Sequence, residues 1–170
     1  MPLDALHPLA ALCIGFYLAE GAGYLVHRLL HWPGSGALYE GHMDHHRRLY
    51  PPGDLLSDVY RTPSPGASAV ILFAPFFVAL VLAALITLPL GTAILVVIEL
   101  AVLAWLNNYL HDGMHVRGFW LERFGCFRRL RELHFQHHAE MSSNLGIFVF
   151  VFDHLLATYR DPAIGRRARS

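Results

Sequence analysis

His134-Phe-Gln-His137-His138 places three histidines in five positions, and His42-Met-Asp-His45-His46 repeats the same spacing. In an α-helix with 3.6 residues per turn, positions i, i+3 and i+4 lie within one stripe of the surface. We therefore expect each triplet to direct its three imidazoles toward one point. Neutral imidazole is the commonest side-chain metal ligand, and imidazoles this close together would repel one another once protonated. The two triplets predict a metal site held by helices.

Two histidine pairs complete the pattern, His27-Arg-Leu-Leu-His31 and His111-Asp-Gly-Met-His115. Their i, i+4 spacing stacks two rings on one face of a helix. The chain has 12 histidines, and ten of them fall into these four clusters. Because about four to six nitrogen ligands satisfy one first-row metal ion, ten candidates predict two ions with positions left for water or oxygen.

The composition favours a membrane protein of one domain. Of the 170 residues, 55% are hydrophobic and only 15% are charged, and the mean hydropathy is +0.40. A formal net charge of zero gives no electrostatic basis for a nucleic-acid partner. Cys13 and Cys126 are isolated, so no disulfide framework is expected. The start of the chain lacks the pattern of a removable signal peptide, so we expect the first apolar segment to be retained.

Three apolar segments predict membrane helices, at about residues 9–30, 68–88 and 91–110. Each has close to the ~20 residues that cross the ~30 Å hydrocarbon core, and a proline and glycine turn makes the last two a hairpin. The expected fold is all-α: an integral-membrane bundle of about three to four membrane helices with a histidine-rich helical cap. Residues 1–170 are expected to form this single domain.

Arginines predict the topology and several surface segments. Arg47, Arg48 and Arg61 precede the hairpin, and five arginines follow it between residues 117 and 131. By the positive-inside rule, this multi-pass protein has its histidine cluster on the cytoplasmic face. Residues 54–67 are expected to form a polar loop, residues 116–131 an amphipathic helix at the membrane surface, and residues 147–157 a re-entrant or cap segment too short to span.

Several polar residues are candidates for hydrogen bonding to the ligand histidines. Glu20 precedes His27 and His31 on roughly the same helical face, although a polar contact between helices is the alternative. Asn108 shares the stripe of the third cluster, where it could bind a metal, bond a ligand or pack against another helix. Asp112, next to His111, is a further candidate. Glu99 lies within the third apolar segment and predicts an inter-helix hydrogen bond or a proton path.

These residues together resemble the fatty acid hydroxylase and sterol desaturase superfamily of integral-membrane di-iron enzymes. The resemblance runs from about Glu20 to Pro162: four ordered histidine boxes with a hydrophobic hairpin between the second and third, then Asn144-Leu-Gly and Phe152-Asp-His-Leu-Leu-Ala-Thr-Tyr-Arg. Different parts favour different branches. His45-His46-Arg-Arg-Leu-Tyr-Pro-Pro-Gly-Asp resembles the acyl-chain 2-hydroxylases, HDGMH is similar to a carotenoid hydroxylase box, and HRLLH has the sterol-desaturase spacing.

The resemblance implies an O2-dependent di-iron oxygenase that hydroxylates a C–H bond of a membrane lipid, either an acyl chain or a sterol-like molecule. All ten clustered histidines would bind the two iron ions, with zinc possible in a purified sample. Asn144 and Asp153 match family positions that would support the ligands. Since the chain has no cytochrome or flavin motif, a separate ferredoxin-like or cytochrome-like donor with its reductase must supply electrons, and the arginines of residues 117–131 are a candidate docking patch.

Two alternatives stay open. The first is a carotenoid ring hydroxylase, which performs the same chemistry on a longer, rigid substrate. The second, from another class, is a non-catalytic metal-binding or metal-transport membrane protein, although transporters place their ligands near mid-bilayer and not at one face. The sequence leaves open the substrate, the carbon attacked, hydroxylation versus desaturation, the electron donor, the oligomeric state and the division of the histidines between the two metals.

Overall fold

The computed structural model describes residues 8–62, 69–146 and 148–162, with side chains described for all of these except residues 69–73. This part of the chain is helical apart from its loops and one isolated parallel bridge between Ser57 and Val116. The expected all-α fold is confirmed over these ranges. The helices are α1 (Pro8–Leu30), α2 (Ala37–Asp44), α3 (Ala69–Thr87), α4 (Leu90–Met114), α5 (Gly125–Ala139) and α6 (Val151–Leu155).

Two of these helices are long and apolar enough to cross a membrane. α1 has 23 residues and contains an 18-residue stretch with a mean hydropathy of 1.6, and α4 has 25 residues and contains one with a mean hydropathy of 2.1. At a rise of 1.5 Å per residue they are about 34 and 37 Å long. They match the predicted segments 9–30 and 91–110, and α4 continues for one further turn that carries His111.

The remaining predicted segment, at residues 68–88, corresponds to α3. Residue 68 lies outside the described residues, and the apolar stretch with described side chains runs from Ala74 to Thr87. That stretch is shorter than the ~20 residues of a span, so a third membrane helix remains a prediction. The bundle of three to four membrane helices likewise remains a prediction.

α1, α3 and α4 pack against one another, and their outer faces carry large apolar side chains. Small and medium side chains fill the contact, namely Ala11, Ala84, Val96 and Leu100. Outside it, Leu18 is 58% exposed, Ile86 81% and Trp105 63%. Burial of one such side chain away from water is worth about 1.5–3 kcal/mol, so faces of this kind are suited to lipid. These apolar helices indicate membrane association.

Two glycines of α1 permit close contacts that a larger residue would block. A Cβ atom added to Gly15 would lie 2.6 Å from Glu99 Oε2 on α4, and one added to Gly21 would lie 2.9 Å from the Phe152 ring on α6. Glu99 Oε2 is buried and has no hydrogen-bond partner among the described residues. The expected inter-helix hydrogen bond of Glu99 is therefore not found for this oxygen.

The cap begins where Pro33 and the glycines around it end the first helical segment. The sequence predicts a helix over residues 38–49, and the structure divides this region into α2 and a π-helical turn, His45–Leu49. Within that turn the Tyr50 N–H donates to the His45 carbonyl at 2.9 Å. Such wide turns are rare and often occur at functional sites.

The prediction of an amphipathic helix over residues 116–131 is wrong. Gly118 adopts φ +66°, Phe119 and Phe124 are extended, and a short 3₁₀ turn, Trp120–Arg123, lies between them. These conformations interrupt a helix, so α5 starts only at Gly125 and then carries the second histidine triplet. Arg131 points inward, donating to the carbonyls of Gly113 and Val116 at 2.9 and 3.0 Å.

The segment at residues 147–157 is short, as expected, and it packs on α1. Ile147 lies outside the described residues, and α6 covers only Val151–Leu155. The Phe152 ring contacts Tyr24 with a centroid distance of 6.2 Å. In the predicted polar loop, residues 54–62 contain no helix, and residues 63–67 lie outside the described residues.

Candidate metal centre

The structure brings together all ten histidines predicted to bind metal, where the ends of α1 and α4 meet the cap helices α2 and α5. Within each of two groups, the ligand nitrogens lie within 4.8 Å of one another. The first group is His27, His31, His42, His46 and His137, and the second is His45, His111, His115 and His134. His138 adjoins the second group, because its Nε2 lies 3.2 Å from Nε2 of His134.

Four nitrogens of the first group form a closed ring. The Nε2–Nε2 distances are 3.1 Å for His31–His42, 3.1 Å for His42–His46, 3.2 Å for His46–His137 and 3.1 Å for His137–His31. The centre of a square with such sides lies about 2.2 Å from each corner, close to the ~2.0–2.1 Å length of a zinc–imidazole bond. A single first-row ion therefore fits this ring, with His27 as a fifth ligand.

The second group has a similar density of nitrogens. His134 Nε2 lies 2.9 Å from His115 Nε2 and 3.2 Å from His138 Nε2. The ring of His45 lies 4.7 Å from that of His111 and 4.9 Å from that of His115, measured between centroids. His45 Nε2 is buried and has no hydrogen-bond partner in the described part of the chain. A metal ion would give that orphaned nitrogen a partner.

The expectation that each triplet directs all three imidazoles to one point is wrong. His42 and His46 belong to the first group and His45 to the second, whereas His134 and His138 lie in the second and His137 in the first. The helix itself explains this division. At about 100° per residue, position i+4 lies about 40° to one side of position i and position i+3 about 60° to the other.

Hydrogen bonds at Nδ1 fix the orientation of several rings. The Nδ1–H groups of His27 and His137 donate to the carbonyls of Leu145 (3.0 Å) and Ser143 (2.7 Å). Those of His115 and His138 donate to the carbonyls of Leu55 (2.9 Å) and Tyr50 (2.8 Å). A neutral imidazole that donates through Nδ1 keeps a lone pair on Nε2. These four side chains therefore present Nε2 as a metal ligand.

The short Nε2–Nε2 distances suit a cation between the rings. His137 Nε2 carries a lone pair and lies 3.1 Å from His31 Nε2 and 3.2 Å from His46 Nε2. His134 can donate one proton, but it lies between His115 and His138, both of which present lone pairs. Lone pairs that face one another repel, so the donor set fits bound metal ions. Imidazole ligands suit iron, zinc, copper and nickel, so the donors alone do not choose among these metals.

Burial keeps the imidazoles neutral and so able to bind metal. Burial, together with a smaller effect of neighbouring imidazoles, lowers the pKa of His31 to about 3 and the pKa of His115 to about 2. Burial also lowers the pKa of His138 to about 3. The same cause holds the pKa of five more ligands well below 6.5: His42, His45, His46, His134 and His137.

Two of the polar candidates bond to the main chain. The buried Glu20 carboxylate accepts from the N–H groups of Phe148 (3.3 Å) and Val149 (3.1 Å), so these bonds hold a loop on α1 and do not reach a ligand imidazole directly. Asn108 donates through Nδ2 to the Ala104 carbonyl one turn earlier at 3.0 Å, which is a bond within α4.

The other three candidates lie closer to the ligands. Asp112 Oδ1 lies 3.4 Å from His111 Nδ1. Asp153 accepts from the N–H of Leu145, whose carbonyl orients His27, so Asp153 acts through the backbone. Asn144 bonds with its side chain to the backbone of Leu133 and Arg160 and so joins α5 to the C-terminal segment. His154, expected to play no part, stacks on Tyr159 at 4.0 Å.

Sequence analysis missed three residues next to the second group. The Tyr50 ring is fully buried and stacks on the His115 ring at 3.9 Å. Tyr60 stacks on Tyr50 at 5.6 Å, and burial together with the nearby Asp112 carboxylate raises its pKa. The Arg61 guanidinium lies 5.2 Å from the centroid of the Tyr50 ring. Aromatic and basic residues directly after a histidine triplet were the available signal.

An apolar cavity of about 270 Å³ lies between α1, α3 and α4. Its polar lining residues are Glu20, Asn107 and Asn108, and the loop residue Phe148 closes one side. Val26 precedes His27 directly, and Asn108 lies one turn before His111, so the cavity adjoins the ends of both helices that carry ligands. Its other lining residues are Ala19, Ala22, Gly23, Val26, Ala74, Phe76, Phe77, Leu80, Leu100, Leu103 and Ala104.

Comparison with known proteins gives one family match. The family model described as fatty acid hydroxylase matches residues 12–158, which include all ten clustered histidines. Neither the curated proteins nor the solved structures contain a match to the chain.

We predict that acid destabilises the metal-free protein. The unfolded imidazole has a pKa of about 6.5, whereas the pKa of folded His115 is about 2 and that of His138 about 3. Below pH 6.5 the unfolded chain therefore binds more protons than the folded chain, and stability falls as pH falls. At pH 5 each such imidazole lowers the free energy of unfolding by about 2 kcal/mol. Circular dichroism melts of chelator-treated protein in detergent between pH 7 and 5 measure this; an unchanged Tm would contradict buried neutral imidazoles.

We also predict that metal loss follows the two spatial groups and not the sequence triplets. Alanine at His42, His46 and His137 should remove one of two bound ions, because all three belong to the first group. Alanine at His42, His45 and His46 should weaken both sites, because that triplet serves both groups. Metal per protein is counted by mass spectrometry, with His154→Ala as a control that retains both ions. If the variant at His42, His45 and His46 lost one ion and the variant at His42, His46 and His137 lost both, the division of the histidines into these two spatial groups would be wrong.

Proposed function

Because the chain belongs to the fatty acid hydroxylase family, we propose that it is a membrane-bound, O2-dependent di-iron monooxygenase that hydroxylates a C–H bond of a membrane lipid. The observation that carries the proposal is the pair of histidine groups beside an apolar cavity between the membrane helices. Ten imidazoles exceed the about four ligands of a structural zinc site. Two adjacent groups suit a reaction that needs two metal ions.

The chemistry supplied by two bound iron ions is the reduction of O2 with two electrons and two protons, which places one oxygen atom on the substrate as a hydroxyl and releases the other as water. The residues of this chain hold and shield the site. Their Nδ1 bonds to backbone carbonyls orient the ligands, and His46, His115 and His137 are fully buried. Burial of this kind keeps water away from a reactive centre.

The cavity supports a lipid substrate. Twelve of its 15 lining residues are apolar, and alanines and a glycine give it room between the helices. Outward-facing apolar side chains on the same helices support the access of a membrane lipid to the cavity. The lining is compatible with an acyl chain, a sterol-like molecule or the ring of a carotenoid, so the substrate assay must include all three.

The topology and the electron donor also belong to the proposal. We place the centre on the cytoplasmic face of a multi-pass protein, supported by the exposed arginines of the cap, including Arg47 and Arg48. A separate ferredoxin-like or cytochrome-like donor, with its reductase, would dock there. Within the arginine patch of residues 117–131, Arg117, Arg123 and Arg128 are exposed, and Arg117 also lies 3.6 Å from the exposed Asp58. Arg131 is mostly buried and pairs with Glu122 at 2.6 Å. The first three are thus the better docking candidates.

The test is mass spectrometry of the lipids and pigments of cells that express the chain. A gain of one oxygen atom on acyl chains or sterols supports the proposal, and the same gain on a carotenoid identifies the ring-hydroxylase alternative. His137→Ala should abolish the product while the protein still inserts in the membrane. A purified protein that carries zinc alone and shows no O2 consumption with lipid and reductant would instead favour a non-catalytic metal-binding protein.

We predict that filling the cavity reduces turnover without loss of metal. Ala104 lines the cavity, so Ala104→Phe adds a ring to the space that the substrate would occupy. We expect product formation to fall by up to about 100-fold, the loss that a misplacement of the reacting groups by about 1 Å can cause. Ala101→Phe, on the exposed side of the same helix, is the matched control. Equal activity of the two variants, with equal metal content, would place the substrate elsewhere.

A further inference from the structure

One short segment of main chain orients two ligands of the first histidine group. The Ser143 carbonyl accepts from His137 Nδ1–H at 2.7 Å, and the Leu145 carbonyl accepts from His27 Nδ1–H at 3.0 Å. Ser143, Asn144 and Leu145 are all buried. The position of residues 143–145 therefore decides where the Nε2 lone pairs of two ligands point.

Asp153 holds this segment in place. Its Oδ1 accepts from the Leu145 N–H at 2.8 Å and from the Thr158 hydroxyl at 2.7 Å, and its Oδ2 accepts from the Gly146 N–H at 2.7 Å. The side chain is fully buried, and a Cβ added to Gly146 would lie 2.7 Å from Oδ2. A buried carboxylate with three donors is a strong and specific anchor. In the described structure, the hydrogen bonds of Asp153 go to this backbone and to Thr158, and none goes to a ligand imidazole.

A different segment orients two ligands of the second group. The Tyr50 carbonyl accepts from His138 Nδ1–H at 2.8 Å, and the Leu55 carbonyl accepts from His115 Nδ1–H at 2.9 Å. The Ser57 N–H also donates to the His115 carbonyl at 3.0 Å. Residues 50–57 thus serve the second group as residues 143–145 serve the first.

Arg61 anchors this second segment from the side. Its guanidinium donates to the Leu49 carbonyl, pairs with Asp54 at 2.8 Å and lies over the Tyr50 ring. Its backbone N–H donates to the Tyr50 hydroxyl. One arginine therefore contacts the segment before, at and after Tyr50, the residue whose carbonyl orients His138.

We propose that Asp153 and Arg61 are positioning residues for different metal ions, Asp153 for the ion of the first group and Arg61 for the ion of the second. The inference rests on the proposed two-metal centre. α2 and α5 carry ligands of both groups, so a disturbance of either helix weakens both sites. Each anchor, in contrast, holds a segment whose carbonyls orient ligands of one group. Although Arg61 also donates to the Leu49 carbonyl at the end of the π-helical turn, the loss of either anchor should weaken its own site before the other.

The test counts metal ions in purified protein incubated anaerobically with ferrous iron and then with a chelator. Loss of a group that orients metal ligands typically lowers metal affinity about 10–100-fold. We therefore expect Asp153→Asn and Arg61→Gln each to retain one ion at a chelator concentration at which the parent protein retains two. Asp58→Asn and Arg123→Gln, at exposed positions of the same charge types, should retain two.

Double variants identify which ion is lost. Asp153→Asn combined with His31→Ala, both acting on the first group, should keep one ion. Asp153→Asn combined with His111→Ala should keep none. Conversely, Arg61→Gln should keep one ion when combined with His111→Ala and none when combined with His31→Ala. Retention of two ions by both single variants, or loss of both ions by either, overturns the proposal. A parent protein that binds fewer than two ions refutes the two-metal centre itself, which is a distinct result.

Milder variants keep the test decisive where the first ones fail to fold. Thr158→Val removes one hydrogen bond to Asp153, and Arg61→Lys keeps the charge but loses the planar fork. Each should lower the affinity of one ion by several-fold and leave the other unchanged in a ferrous-iron titration. Equal weakening of both ions in either variant would show that these residues support the cap as a whole and not one metal each.

Discussion

Neutral imidazoles that face one another are the constraint on which the rest of the structure depends. Four Nε2 atoms of the first group lie at the corners of a ring with sides of 3.1–3.2 Å. Burial removes the protons that would turn these rings into mutually repelling cations, and carbonyl bonds at Nδ1 then leave lone pairs on Nε2 in several of them. Such an arrangement suits a bound cation, and metal binding at a site of this kind would add to the stability of the fold.

Helix periodicity explains why there are two groups. A pair at i and i+4 shares one side of a stripe, whereas i+3 lies on the other side, so a triplet placed between two centres supplies two ligands to one and one to the other. α2 with its π-helical turn gives the pair to the first group, and α5 gives the pair to the second. The pairs at the ends of α1 and α4 then complete five nitrogens each. The two triplets thus have opposite roles, because each supplies two histidines to one group and one histidine to the other.

The sequence was sufficient to identify the histidines that gather at the candidate site and the two long helices, because histidine spacing and apolar length are local properties. It was insufficient where the position of a side chain depends on how distant parts of the chain fold against one another. Arg131 belonged to a predicted surface helix, yet it turns inward to the carbonyls around Gly113 because Gly118 and the extended phenylalanines break that helix. Glu20 was a candidate for an imidazole bond or for a polar contact between helices, and nothing in the sequence indicated that its carboxylate accepts from the backbone of a distant loop. Backbone carbonyls such as that of Leu145 leave no signature in a sequence, since every residue has one.

A lipid-oxidising centre would need a cavity for its substrate and a fixed orientation of its ligands, and in this structure different parts of the chain provide the two. Helices α1, α3 and α4 form the cavity through small side chains such as Ala22, Gly23 and Ala104, which make no bond to a ligand in the described structure. The loops at residues 50–57 and 143–145 orient the imidazoles through carbonyls whose strength does not depend on side-chain identity. A change in the size of a cavity residue therefore removes no hydrogen bond to a ligand ring, whereas replacement of Asp153 removes the bonds that hold the segment orienting two ligands. On this physical ground, differences in substrate between such proteins should reside in the membrane helices and not in the cap.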